Sequence, residues 1–288
     1  MIAAPFAAEL TTREAFLAQV IEKLGTHPCN FQTAFREIST SGRDNRRRAA
    51  GVLLPLLFRE SSPGSSSAEG SFLFQLIKRS ATVPQPGDLS FPGGMLQPVF
   101  DRILRPLVTH GPFPIIRGNA RKYAVLQNAD TFGLISLFLT NALRESWEEI
   151  RLLPSRVLFL GSLPTYNLTL FRRTIFPVAG FVENPGYLHP NHEVEKIVEI
   201  PLLSFYDVER IGCYQIVDGR SEMKLPLQYP CLIHHEPDGG EEVLWGATFN
   251  IIVQFLEIVL NYRLPEWKNG VVIKRSIKPE YLTGRLSS

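Results

Sequence analysis

Apolar residues recur at helical spacing near the start of the chain and then switch to a period of two, and this change marks out the first elements. Phe16, Leu17, Val20, Ile21 and Leu24 predict a helix over 11–24, capped by Thr11 or Thr12. Residues 1–44 read as a helical extension, ending in a basic cluster of Arg43, Arg46, Arg47 and Arg48 that suits a solvated face. The run 49–58 predicts a mostly buried strand. Residues 61–70 are a Ser/Gly/Pro linker, and 71–79 alternates with Phe72, Phe74 and Leu76 on one side, so two strands joined as a hairpin are expected.

The middle of the chain is less regular. Residues 85–94 are turn-rich and end Phe91-Pro92-Gly93-Gly94. From Met95 to about Asp130 the sequence mixes Pro98, Pro106, Pro112 and Pro114 with Arg102, Arg105, Arg117, Arg121 and Lys122, as in a lid or an ornament. Asp130 suits the N-cap of a helix that runs through Leu152 and is stopped by Pro154. Strands follow at 157–163, 174–182 and 195–201, with Asn184-Pro185-Gly186 as a turn between them. A further strand pair is expected over 220–233, and a strongly apolar final helix over 248–260. Strands interrupted by one central and one late helix predict an α+β fold with a mixed sheet between helices.

Composition narrows the class. The 288 residues suffice for a substantial core, and a formal net charge of +2 argues against a protein that binds nucleic acid by bulk charge. Cys29, Cys213 and Cys231 are odd in number and lack a paired short spacing, which fits core positions in a reducing, cytoplasmic setting. The first twenty residues carry Glu9 and Glu14 and do not read as a secretory signal. The most apolar run, 131–143, is too short to span a bilayer and reads as a buried helix. The final helix suits packing within the chain and pairing in a homodimer equally.

The candidate chemistry lies in Arg144-Glu145-Ser146-Trp147-Glu148-Glu149. On a helix, Glu145, Glu148 and Glu149 project into one arc, where like charges repel by roughly 0.2–0.5 kcal/mol per exposed pair. A cation among them gives that crowding a rationale. An all-oxygen set suits Mg2+ or Mn2+, since the nitrogen or sulfur that zinc favours is missing. Arg144 can fork onto Glu148 one turn later, and Leu143, Trp147 and Ile150 give the helix a face to bury. A solvated helix laced with charge explains the spacing as well as a metal site does. Gly93-Gly94 shifts the balance, because backbone without Cβ can approach a ligand closely and offer a carbonyl.

Together these residues resemble the Nudix hydrolase family, whose motif joins a glycine, after a short spacer, to an Arg-Glu pair and a Glu-Glu pair. Gly94 resembles the opening glycine, and Arg144, Glu145, Glu148 and Glu149 resemble the motif's end. Several stretches are similar to the coenzyme A pyrophosphatase branch. These are Arg48-Ala49-Ala50, Leu76-Ile77-Lys78-Arg79-Ser80, Gly87-Asp88-Leu89-Ser90-Phe91-Pro92-Gly93-Gly94, residues 176–181, Asn191-His192-Glu193-Val194 and Leu244-Trp245-Gly246-Ala247-Thr248. The resemblance spans about 45–260. It departs from the family in the 49 residues between Gly94 and Arg144, in Arg151 where glycine is usual, and in Gln85 where the branch carries histidine. The spacer's acidic residue has Asp101 or the distant Asp130 as candidates, with Phe100 in the simplest position.

The resemblance implies an α/β/α sandwich over 45–265 with an insertion at about 96–130, followed by a tail over 266–288. It implies a metal-dependent pyrophosphatase acting on coenzyme A or a related nucleoside diphosphate derivative, with dinucleotides, nucleotide sugars or a catalytically impaired binding role as alternatives. Under it, Gly93, Glu145, Glu148, Glu149 and Glu193 are metal ligands, and Glu145 and Arg144 are catalytic. Arg79 and Gly94 would contact substrate. The polar stretch His234, His235, Glu236, Asp238, Glu241 and Glu242 reads as a surface loop before the final helix.

Overall fold

The computed structural model describes residues 12–40, 47–60, 70–111, 115–168, 172–217, 227–276 and 281. Arg43, Arg46, Glu9, Pro112 and Pro114 lie outside the described residues, as do most of the 61–70 linker, the first part of 220–233 and residues 282–288. Two helices open the chain, α1 (Arg13–Thr26) and α2 (Phe31–Thr40). Strands β1 (Arg48–Arg59), β2 (Ser71–Arg79), β3 (Leu89–Ser90) and β4 (Gly93–Met95) follow. Next come α3 (Pro98–His110), α4 (Gly118–Gln127) and the long α5 (Ala129–Ile150). Strands β5 (Val157–Ser162), β6 (Tyr166–Leu168), β7 (Arg173–Val182), β8 (Val194–Pro201), β9 (Ile211–Val217), β10 (Leu227–His235) and β11 (Glu241–Trp245) precede α6 (Gly246–Leu260). Strand β12 (Val272–Ser276) comes last.

The main sheet is mixed and mostly antiparallel. Its spine runs β3-β2-β1-β7-β5, with β4 on β1, β6 on β7 and β8 on β2. Only β1 and β7 run parallel. The period-two pattern sends alternate residues into two cores. Leu54, Leu56, Phe72, Phe74, Leu76 and Phe181 face a core shared with α1 and α6. Leu53, Leu57, Leu73, Ile77, Phe176 and Val178 face one shared with α2 and α5. The sheet is therefore buried on both sides, and the chain is an α+β sandwich of helix, sheet and helix. Thr12 caps α1 by accepting from the Ala15 N–H at 3.1 Å, and Phe16, Val20 and Leu24 are its buried stripe.

Several expectations need correction. The proline-rich stretch after Met95 is more regular than its prolines suggest: its described residues fold into α3 and α4, whose Asp101, Val108, Ala120 and Ala124 are buried. Pro98 occupies the first turn of α3, where a missing N–H costs nothing, so it starts a helix rather than preventing one. The cap of α5 is Asn128, whose side chain accepts from the Thr131 N–H at 2.7 Å; Asp130 lies in the first turn instead. The helix ends at Ile150, because Arg151 turns left-handed at φ 59°. Trp147 does not join the buried face; it is partly exposed, with the Arg151 guanidinium 5.2 Å from its ring centre.

Of residues 234–242, only 236–240 form a loop, with Glu236 and Asp238 on it. His234, His235, Glu241 and Glu242 lie on the strands it joins, the hairpin of β10 and β11 in a second sheet of order β11-β10-β9-β12. Buried Glu242 receives Lys78 at 2.9 Å and Lys196 at 2.8 Å, tying this sheet to the main one. Cys213 and Cys231 are buried, as expected of core residues. The apolar side of α6 packs into the chain's own core. Among the described residues, no helix is long and apolar enough to cross a membrane.

Candidate active site

The C-terminal half of α5 meets the Gly93-Gly94 strand at the edge of the main sheet. Asn141, fully buried, fixes this meeting: its Oδ1 accepts from the Gly51 N–H at 2.8 Å, and its Nδ2 donates to the Met95 carbonyl at 3.1 Å. One side chain thus joins α5 to β1 and β4, and one turn later the helix presents Arg144 and Glu145. The Glu145 carboxylate lies directly over Gly94, where a Cβ would fall 2.5–2.7 Å from its Cδ and both oxygens. Glu149 reaches Gly93, whose N–H donates to Oε2 at 3.0 Å.

Arg144 is almost fully buried and joins three acids. Its Nε donates to Asp101 at 2.8 Å, Nη2 lies 2.9 Å from Glu145, and Nη1 lies 3.1 Å from Glu148. Burial opposes its charge, yet Asp101, Glu145 and Glu148 raise its affinity for the proton above the ordinary guanidinium range. Asp101 has no exposed surface and also accepts from the Gln97 N–H at 2.7 Å. Of the acidic candidates in the long spacer, Asp101 is the one that reaches Arg144. Sequence distance hid it, since 43 residues separate the pair and α3 carries it back onto α5.

The opposite wall comes from residues 189–194. The His189 N–H donates to the Ile150 carbonyl at 2.9 Å, and the Asn191 N–H donates to the Glu149 carbonyl at 2.8 Å. Asn191 Nδ2 adds the Glu148 carbonyl at 3.2 Å, and its Oδ1 accepts from the Glu193 N–H at 2.8 Å. These bonds satisfy carbonyls that the helix end leaves open, and they set Glu193 beside Glu149. Sequence reading saw Asn191 only as part of a motif; its role is to dock this turn on α5. Arg79 sits alongside, because the β2–β8 ladder slips between Lys78 and Arg79. Such a bulge re-aims a side chain, and Arg79 Nε donates to the Pro84 carbonyl at 2.7 Å.

The acids differ in environment. Burial pushes Glu149 up to about 8, the charges of Glu145 and Glu193 push the same way, and the Gly93 N–H and Arg79 only partly oppose them. Burial also raises Glu145, outweighing the attraction of Arg144. Glu148 is half-exposed and turned towards Arg144, so Glu145 and Glu149 are the two carboxylates gathered at the glycine strand. Among the described residues, no group of three or more His, Cys, Asp or Glu side chains is arranged to hold a metal ion. Mg2+ characteristically takes one or two carboxylates together with waters and substrate phosphates, and the all-oxygen pair Glu145 and Glu149 has the donor chemistry for that mode. The insufficiently compensated burial of Glu149 is the feature a cation would relieve.

No family model matches the chain, and no curated protein matches it. Among solved structures, it is similar to RenU, a Nudix hydrolase from M. smegmatis, at 15% identity over 56% of this chain and 74% of that one, with a TM-score of 0.34. A Nudix hydrolase from Alicyclobacillus acidocaldarius is similar at 14% identity over 54% and 79%, with a TM-score of 0.34. The Nudix domain of Shewanella oneidensis NrtR, in complex with ADP ribose, is similar at 10% identity over 60% and 86%, with a TM-score of 0.31.

Proposed function

We propose that the chain is a divalent-metal-dependent pyrophosphohydrolase of the Nudix type, and that it cleaves a nucleoside diphosphate derivative such as coenzyme A. The observation that carries this reading is the pairing of two carboxylates, buried Glu149 and partly buried Glu145, with two adjacent glycines. Glu149 is held by the Gly93 N–H while burial keeps its pKa near 8, and Glu145 fills the space that any side chain at Gly94 would need. A buried acid without sufficient positive charge is costly to keep, and a bound cation gives it a purpose.

In this reading Glu145 and Glu149 hold Mg2+ or Mn2+, the Gly93 carbonyl supports it, and Glu148 and Glu193 complete the shell directly or through water. The cation, when bound, neutralises phosphate oxygens and acidifies a nearby water. Water adds to phosphorus, the bridging P–O bond breaks, and the water's proton passes to a carboxylate. Glu145 stands where it can share the cation or take that proton. Arg144 is a positioning residue: it holds Glu145 and Glu148 while anchored to buried Asp101. Arg79 acts on Glu149 from β2 and would supply positive charge for the substrate's phosphates, with Gly94 bordering them.

Dinucleotides or nucleotide sugars are the second reading, and Gln85 favours it. Gln85 stands at φ 59° with its N–H donating to the Tyr281 carbonyl at 2.8 Å, where the coenzyme A branch carries histidine. A panel of coenzyme A, dinucleoside polyphosphates and nucleotide sugars, assayed with Mg2+ or Mn2+, separates the two. Turnover of coenzyme A is expected. Turnover of dinucleotides without coenzyme A would sink the leading substrate, and turnover of none would sink the enzyme.

A further inference from the structure

Beyond α6 the chain returns to the edge of the candidate site. Strand β12 pairs in parallel with β9, and this sets Arg275 beside the turn-rich segment 80–88. Arg275 Nη1 donates to Asp88 Oδ1 at 2.7 Å, and its Nη2 donates to the Pro86 carbonyl at 2.7 Å. Tyr281 is buried; its hydroxyl donates to Asp88 Oδ2, and its carbonyl accepts from the Gln85 N–H at 2.8 Å. The Arg275 guanidinium lies 5.5 Å from the Tyr281 ring centre, and Trp245 Nε1 adds a bond to Asp88 Oδ1 at 3.3 Å. Asp88, itself buried, is thus the knot where β11, β12 and Tyr281 meet one loop.

That loop carries Arg79. The Arg79 N–H donates to the Asp88 carbonyl at 3.0 Å, and the Gly87 N–H donates back to the Arg79 carbonyl at 2.9 Å. With Arg79 Nε held by Pro84, the loop fixes both ends of the residue: its backbone through Asp88 and Gly87, its guanidinium through Pro84. The segment 80–88 has two prolines, a glycine at φ 74° and no strand of its own, so the bonds from Arg275 and Tyr281 add to its few internal turns in holding its shape.

We propose that residues 272–276 and Tyr281 form a strap that positions Arg79, with Arg275 and Tyr281 acting through Asp88. This rests on the functional reading above, in which Arg79 meets the substrate's phosphates. Arg275 and Tyr281 are positioning residues and touch no reacting atom. The strap also accounts for Gln85: its backbone N–H binds the Tyr281 carbonyl, so it serves as the strap's anchor.

The test compares Arg275→Ala, Tyr281→Phe and Arg79→Ala in the full chain, by amide hydrogen exchange and by calorimetric binding of inorganic pyrophosphate with Mg2+. The strap predicts that Arg275→Ala speeds exchange of the Arg79 and Gly87 amides by about tenfold or more while β7 amides stay protected. It also predicts that Arg275→Ala and Arg79→Ala weaken pyrophosphate by similar factors, about tenfold, and that Arg275→Lys recovers part of the loss. Tyr281→Phe keeps the ring and the fold and is expected to loosen the loop to a smaller degree. Unchanged exchange at Arg79 and Gly87, or equal loosening of β7, would overturn the strap whatever the turnover. A loosened loop with pyrophosphate affinity unaltered would overturn its role for Arg79. Absence of hydrolysis in the unsubstituted protein would instead count against the functional reading, and the exchange result would stand apart from it.

Discussion

In metal-free buffer, Glu149→Gln is expected to melt higher than the unsubstituted protein at pH 8, and level with it near pH 4.5. Burial raises Glu149 from 4.5 to about 8, so between these values the folded chain keeps a proton that the unfolded chain has released. Stability therefore falls as pH rises across that window, by about 1.4 kcal/mol per unit for this one group. The loss is absent below the unfolded value and complete above the folded one. Glutamine cannot ionise, yet its Oε1 can still accept from the Gly93 N–H. The gain should be on the order of 4 kcal/mol at pH 8, or roughly 8–12 °C in melting temperature. Thermal unfolding in chelator at several pH values checks this. Equal pH slopes for the two proteins would mean that Glu149 is not the strained acid described. Adding Mn2+ should then raise the melting point of the unsubstituted protein and leave the variant unmoved.

The adjacent glycines should respond in opposite ways to one added methyl group. At Gly94 the atoms nearest an alanine Cβ are the end of the Glu145 side chain, at 2.5–2.7 Å, and that end can swing away. Gly94→Ala is expected to fold with stability changed by no more than about 1 kcal/mol, while kcat/KM falls by about 100-fold because the carboxylate is displaced. At Gly93 the Cβ meets the Gly51 carbonyl oxygen at 2.5 Å and Val52 Cα at 2.7 Å, both backbone of β1 that cannot yield. Gly93→Ala should cost about 2–3 kcal/mol of stability. Urea unfolding and a turnover assay on both variants separate the two effects. If Gly94→Ala kept full turnover, Glu145 would lose its place in the site.

Much of this was legible in the sequence, for identifiable reasons. Strand β2 was readable because Phe72, Phe74 and Leu76 alternate without interruption, and α6 because its apolar run is long. Arg144, Glu145, Glu148 and Glu149 announced themselves because helical spacing brings residues three and four apart together. What spacing did not show is that Glu148 is half-exposed and paired to Arg144, itself anchored on Asp101, while Glu149 is buried against Gly93. Asp101 itself was obscured because its contact is made by chain reversal through α3 and α4, and prolines masked both helices. Asn128 outcompeted Asp130 as a cap by two positions, within the ordinary uncertainty of helix starts. The second sheet and the strap escaped notice because β12 is short and carries Lys274 and Arg275 in place of a clean apolar alternation.

In the proposed function, buried Glu149 and partly buried Glu145 of α5 serve metal-dependent cleavage of a pyrophosphate. The most direct measurement is hydrolysis of a nucleoside diphosphate derivative by the unsubstituted protein and by Glu149→Gln, each with Mn2+ and with chelator. The account predicts two phosphate-bearing products from the unsubstituted protein only when Mn2+ is present, and turnover reduced at least about 100-fold in the variant. Hydrolysis that persists in chelator, or that survives Glu149→Gln at full rate, would contradict it.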